Sequence, residues 1–252
     1  IAAGAIDLSV GSILPLSAIC MAMALHAGWP VALAVAAGLL AGALLGAVNG
    51  LLIQLTRINA LIITLATSFL YRGLSLIVTL GTPVTKFPQS FRNFGCGDIL
   101  GIESGVFMAL ILLALAFPLL YGMRFGHYLT ALGSNPQALQ RSGVRSIFYR
   151  VGCFAAMGVL AALAGVIITA RLNSAEPNAG LDMEMDAITA VIMGGTPLSG
   201  GSAELAGTAA AVFLLGLIRN GLTLLSVSSY YQQFITGGIL LSAAMTAQSR
   251  MP

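Results

Sequence analysis

This sequence predicts an all-α fold, a polytopic transmembrane helix bundle with inverted repeats, and three observations lead there. Over 252 residues, hydrophobic side chains make up 58% and charged ones 8%, with a mean hydropathy of +0.97. A soluble domain carries roughly 25% charged residues, so this chain has too few to cover a water-facing surface. The apolar residues gather in long runs rich in Ala and Leu, without the period-two alternation of barrel strands. One stretch from the first half also recurs in the second. The lipid bilayer is therefore the expected surrounding of a single transmembrane domain over residues 1–252.

In chain order the runs predict about eight membrane segments: Leu8–His26, Val31–Leu55, Ala60–Leu80, Val106–Tyr121, Ile147–Ala170, Asp186–Leu198, Leu205–Val227 and Gln232–Ala247. The sixth and eighth are short for full crossings and read as half-helices or buried segments. No basic region or cleavage site precedes the first run, so no signal peptide is read, and an N-terminal part is expected to be missing before Ile1.

Basic residues orient the bundle. The loop of residues 123–150 holds Arg124, Arg141, Arg145 and Arg150 and no acid, which places it in the cytoplasm. Counting spans outward puts Thr56–Asn59 and the C-terminal end, with Arg250, on the same side, and Gly81–Gly105 and Arg171–Gly180 outside. The net charge of +3 reflects this topology and not nucleic-acid binding.

The repeat lies in Leu44-Leu45-Gly46-Ala47-Val48-Asn49-Gly50-Leu51 and Leu214-Leu215-Gly216-Leu217-Ile218-Arg219-Asn220-Gly221-Leu222, with one inserted residue. An acidic residue, Asp7 or Asp186, opens an apolar segment upstream of each copy. An odd number of crossings separates the copies, so they insert in opposite directions, with halves of about 1–122 and 147–252. Inverted repeats are a recurring architecture of transporters.

Several side chains stand out from the apolar background. Gly38, Gly42, Gly46 and Gly50 recur every fourth residue and form a face on which a neighbouring helix can pack closely. Asp7 and Asp186 either cap helices or line a wet path, and Asp182 and Glu184 read as solvated loop residues. Asn49 and Asn220 need hydrogen-bond partners, from another helix or from a substrate. Arg72 and Arg219 reach the outer interface on their long stems or pair with Asp182 or Asp186, and the first reading is preferred. Gly194–Gly201 lacks the Gly-Lys-Ser/Thr of a nucleotide loop and reads as a flexible break. Cys20, Cys96 and Cys153, with His26 and His127, have no metal-ligand spacing. No catalytic set, metal site or cofactor is expected. In the basic loop, Asn135 suits an N-cap, Pro136 a first helical position and Gly143 a stop, which predicts a short capped helix suited to docking.

Four motifs in order carry a resemblance: Ile6–Ser12, Ala131–Val144, Asp186–Thr196, and Asn220-Gly221-Leu222 with Ser228–Gln232. The chain resembles the permease subunit of bacterial ABC importers for monosaccharides, of the ribose, galactose, xylose and autoinducer-2 type. The resemblance implies a multi-pass protein of the bacterial inner membrane with two N-terminal spans missing here. It implies a cytoplasmic ATP-binding subunit, an extracytoplasmic sugar-binding protein, and a second permease copy or paralogue as partners. It also makes Gly133–Val144, with Gly133, Asn135, Ala138 and Gly143, the helix that couples to the ATPase. Arg219 departs from the family, which often has Asn there. Polarity within apolar spans adds Asp7, Ser9, Asn49, Thr64, Thr67, Asp186 and Asn220 as the substrate pathway of a small neutral sugar. Two alternatives stand beside this reading: an ion-coupled secondary carrier using Asp7 and Asp186, or an ABC permease for nucleosides or branched-chain amino acids. A third, an intramembrane enzyme, lacks a catalytic set.

Overall fold

A computed structural model describes residues 1–99 and 101–249. Eleven α-helices and four two-residue strands occupy the described residues. The long helices are α2 (Val31–Thr56), α3 (Ala60–Thr79), α5 (Ser104–Phe117, extended by a π-helical turn to Gly122), α8 (Ser146–Leu172) and α10 (Leu205–Leu224). These five are long and apolar enough to cross a membrane. Three more expected segments fall outside that criterion: α1 (Val10–His26), α9 (Met183–Met193) and α11 (Ser229–Ser249). The sixth segment thus starts three residues earlier and ends sooner than its hydropathy suggests. The eighth, α11, is 21 residues long and no half-helix. Arg250, placed in the cytoplasm by charge, lies outside the described residues.

Local chemistry sets the helix ends. Pro30 precedes α2, and the Asn59 side chain accepts from the Leu61 amide at 2.9 Å to start α3. Arg57, Leu80 and Asn173 take left-handed conformations that stop α2, α3 and α8.

The α2–α8 pair is the most extensive contact in the fold, and the glycine face of α2 explains it. A Cβ on Gly42 would lie 2.4 Å from the Gly158 carbonyl oxygen, and one on Gly46 2.1 Å from that of Phe154. One on Gly50 would lie 2.8 Å from the Val151 Cα. Gly38, a turn above, faces α1 instead, 2.9 Å from the Met21 Cβ by the same construction. Between apolar helices in lipid, such backbone approach supplies the attraction that water supplies elsewhere.

α1 packs on α2, α3 and α8, and α9 packs on α10 and α11. The loop after α3 is folded. Strand β1 (Val84–Thr85) pairs antiparallel with β4 (Ser174–Ala175), and β2 (Asp98–Ile99) with β3 (Ile102–Glu103). Between them α4 (Gln89–Cys96) buries Phe91 completely, its ring edge-on to Phe87 at 5.4 Å. An ion pair of 3.1 Å between Arg171 and Glu103 ties the end of α8 to the start of α5.

Candidate functional site

Two short helices, α1 and α9, meet near their N-termini, and the site is built around that meeting. A Cβ on Gly11 would lie 2.5 Å from the Gly180 carbonyl oxygen and 2.0 Å from Oε2 of Glu184. Only glycine at both positions lets the two backbones touch. Pro15 has no N–H to donate, so the carbonyl four residues before it, that of Gly11, lacks its helical partner. Arg72 supplies one: its Nη2 donates to the Gly11 oxygen at 2.9 Å and its Nη1 to the Ala179 oxygen at 3.1 Å. The guanidinium thus turns into the bundle and clamps the leads of α1 and α9 together. This overturns the expectation that Arg72 reaches the outer interface. Its position explains why: it sits twelve residues beyond Ala60, about 18 Å along a helix of about 30 Å.

Below the clamp, the predicted residues of the first half converge. Tyr71 Oη donates to Asn49 Oδ1 at 3.0 Å, and Asn49 Nδ2 to Ser9 Oγ at 2.6 Å. Ser9 Oγ and its amide both donate to Asp7 Oδ1, at 2.5 and 2.9 Å. Thr64 Oγ1 accepts from the Leu8 amide at 3.1 Å and lies 3.2 Å from the Ile6 carbonyl, to which it donates. Thr67 is buried and donates to the Thr64 carbonyl. Ser9, Asn49 and Thr64 are fully buried and bonded to one another or to backbone, so in this conformation they hold α1 on α2 and α3 and present no atom to a solute. Asp7 orders the residue before α1, as an acid at a helix N-terminus can. Its Oδ2 is buried, and so is Oε2 of Glu184, each without a hydrogen-bond partner among the described residues. Asp7 and Glu184 both border a cavity of about 330 Å³ between the lead of α1, α8, α9 and the start of α10, walled by apolar residues such as Phe154, Met157 and Ile188.

The second half is arranged differently. Asp186 lies in the first turn of α9 and not at its cap, which is Asp182. Its carboxylate takes both terminal nitrogens of Arg219, with Nη1 at 2.6 Å from Oδ2. Arg219 therefore pairs with a carboxylate, the reading ranked second from sequence. Asn220 is exposed on α10.

In the basic loop, α6 (Arg124–Ser134) runs into α7 (Pro136–Arg141). Asn135 Oδ1 accepts from the Ala138 amide at 2.9 Å, Pro136 opens the helix, and Gly143 follows at φ +81. Six residues form this helix, with Ala138 exposed and Leu139 buried beneath it. Gly133 belongs to the end of α6.

The family model for the permease component of the branched-chain amino acid transport system matches residues 1–244. The chain belongs to that family. Among its relatives, the ribose import permease protein of Escherichia coli is 41% identical over 244 residues, covering 95% of this chain and 76% of the relative. The ribose import permease protein of Bacillus subtilis is also 41% identical, covering 96% and 76%. The D-allose transport system permease protein of Escherichia coli is 39% identical over 239 residues, covering 94% and 73%. No solved structure matches the chain. As a member of this permease family carrying five apolar spans, the chain is a multi-pass membrane protein.

Sequence reasoning missed the roles of Arg72, Tyr71, Gly11 and Gly180 in this permease. One signal was available: Pro15 inside an apolar run leaves a carbonyl to be satisfied, and a cation within a neighbouring run is the strongest donor for it.

Proposed function

We propose that the chain is the permease subunit of a binding-protein-dependent ABC importer, moving a small neutral sugar inward with energy from a separate cytoplasmic ATP-binding subunit. The observation that carries this reading is the 41% identity to ribose import permeases over 95% of the chain. The short capped helix α7 supports it as the docking element, with Ala138 on its exposed face and Asn135 and Gly143 fixing its ends. The partners are two ATP-binding subunits, a second permease copy or paralogue, and an extracytoplasmic sugar-binding protein seated on the folded loop of α4 and its strands. The location is the bacterial inner membrane.

Transport proceeds by alternating access, with α1 and α9 rocking about the Gly11–Gly180 contact. Asp7 already borders the cavity, whereas Asp186, now paired with Arg219, and Asn220 come to the path as α9 and α10 move. Ser9, Asn49, Thr64 and Thr67 reach it when α1 parts from α2 and α3. Hydroxyl and amide groups suit a sugar, because they bind weakly enough to let it leave.

The test is uptake of labelled D-ribose, D-allose, L-arabinose and leucine into vesicles holding the chain with or without its ATP-binding subunit. Sugar uptake should require that subunit and ATP, and leucine should not enter. Ala138→Arg and Gly143→Pro should abolish uptake without blocking membrane insertion, the second because proline cannot adopt φ +81. Uptake that persists without the ATPase and collapses with an ion gradient would overturn the reading.

A further inference from the structure

Where α6 ends beside α7, three stretches of backbone touch. A Cβ on Gly133 would lie 2.1 Å from the Ala2 carbonyl oxygen and 2.6 Å from the Gly201 nitrogen. One on Gly200 would lie 2.6 Å from both the nitrogen and the Cα of Gly4, and one on Gly4 3.2 Å from the Cα of Gly133. The Gly201 amide donates to the Ala2 oxygen at 3.0 Å, and Ser134 Oγ donates to the Gly201 oxygen at 3.5 Å. Gly4, Gly200 and Gly201 have φ of +71, +81 and +89, which other residues rarely adopt. Most of these neighbours are backbone atoms and not the ends of flexible side chains, so a rotamer change cannot relieve the contact.

Each stretch leads to a different part of the bundle. Gly4 closes a turn in the lead into α1, three residues before Asp7. Gly200 and Gly201 lie in the break between α9 and α10. Gly133 and Ser134 close α6, and Asn135 then caps α7. We propose that this glycine junction is a rigid three-way joint through which movement of α7 enters both halves of the bundle at once. It rests on the reading of α7 as the ATPase docking helix, and adds where one stroke divides in two. A compliant loop here would absorb the movement in its own dihedrals. A close-packed joint moves the lead of α1 and the α9–α10 break together.

The test uses Gly133→Ala, which wedges the joint, and the pair Ser134→Cys with Gly201→Cys, which locks it. The side-chain Cβ of Ser134 and a Cβ built on Gly201 lie 3.4 Å apart, close enough for a disulfide. Both are made in a chain with Cys20, Cys96 and Cys153 replaced by Ala and reconstituted with the ATP-binding subunit that copurifies with it. The readout is D-ribose or D-allose transported per ATP hydrolysed. Gly133→Ala should keep hydrolysis within about twofold of the parent chain while transport per ATP falls about tenfold or more. A side chain at position 201 strains the φ +89 backbone in both redox forms alike, so the reduced pair's own measurable transport per ATP is the reference. The oxidised pair should transport within about twofold of it, because the joint already moves as one. Unchanged transport per ATP in Gly133→Ala, or uptake lost on oxidation and regained on reduction, overturns the proposal. If Gly133→Ala does not insert, the Cys pair decides in the same two ways. A parent chain that recruits no ATP-binding subunit refutes the importer reading itself, and with it the joint.

Discussion

Arg72 is a cation set well inside an apolar helix, where lipid on every side would be costly. Its two donors go to the carbonyls of Gly11 and Ala179, one of them left open by Pro15. Arg72→Ala should therefore lower the unfolding free energy in mixed micelles by about 2 kcal/mol, since charge-assisted bonds are lost and a buried carbonyl is left bare. Arg72→Lys should recover only part of it, because an ammonium lacks the planar fork that reaches two acceptors. An unfolding midpoint unmoved by Arg72→Ala would mean that the side chain does not clamp the two leads. Asp186 and Arg219 show the same rule at a second place. Each is costly alone in an apolar bundle, and each answers the other. Which carboxylate Arg219 would choose was open in the sequence, with Asp182 and Asp186 four residues apart.

At the scale of elements, the spacing of Gly38, Gly42, Gly46 and Gly50 announced a close contact but not its partner. The structure divides the face, giving Gly42, Gly46 and Gly50 to α8 and Gly38 to α1. Gly46→Val is expected to destabilise the fold by about 3 kcal/mol, since the added carbons meet the Phe154 carbonyl and force the helices apart. Gly73→Val on α3, where an added Cβ meets nothing within 4 Å, serves as the control and should change the unfolding midpoint little. Equal effects of the two substitutions would show that helix propensity, and not the α2–α8 contact, sets the loss. The short helix α7 was legible almost residue by residue. Capping by Asn135, Pro136 at the first position and Gly143 at the stop are local rules that need no tertiary partner. The short helices α1 and α9 were less legible, because hydropathy measures how apolar a run is and not where its backbone turns away from helix.

At the scale of the molecule, large side chains face outward on every long helix, including Leu40, Phe69, Ile77, Leu115 and Phe213, each more than half exposed. In water such a surface associates. The purified chain should remain monodisperse only in detergent or lipid, as size-exclusion chromatography with light scattering would record. A monodisperse species in plain buffer would contradict the membrane assignment. The bundle also carries its charges unevenly. Arg72 and Glu184 lie at the α1–α9 meeting and Asp186 pairs with Arg219, while Arg92, Arg124, Arg141, Arg150 and Arg171 lie on other helices.

Composition and capping act through neighbours along the chain, so the solvent, the helical class and most local starts and stops can be read from residue order alone. The same order also marks the residues that lipid cannot tolerate alone, Asp7, Asn49, Arg72, Asp186 and Arg219 among them. Their partners become visible only in the packed bundle. Those bonds join residues tens of positions apart, Asn49 to Ser9, Arg72 to Ala179 and Arg219 to Asp186, and several acceptors stood within equal reach on paper. Choosing among them is a matter of which helices lie side by side, and that is fixed by where glycines let backbones touch.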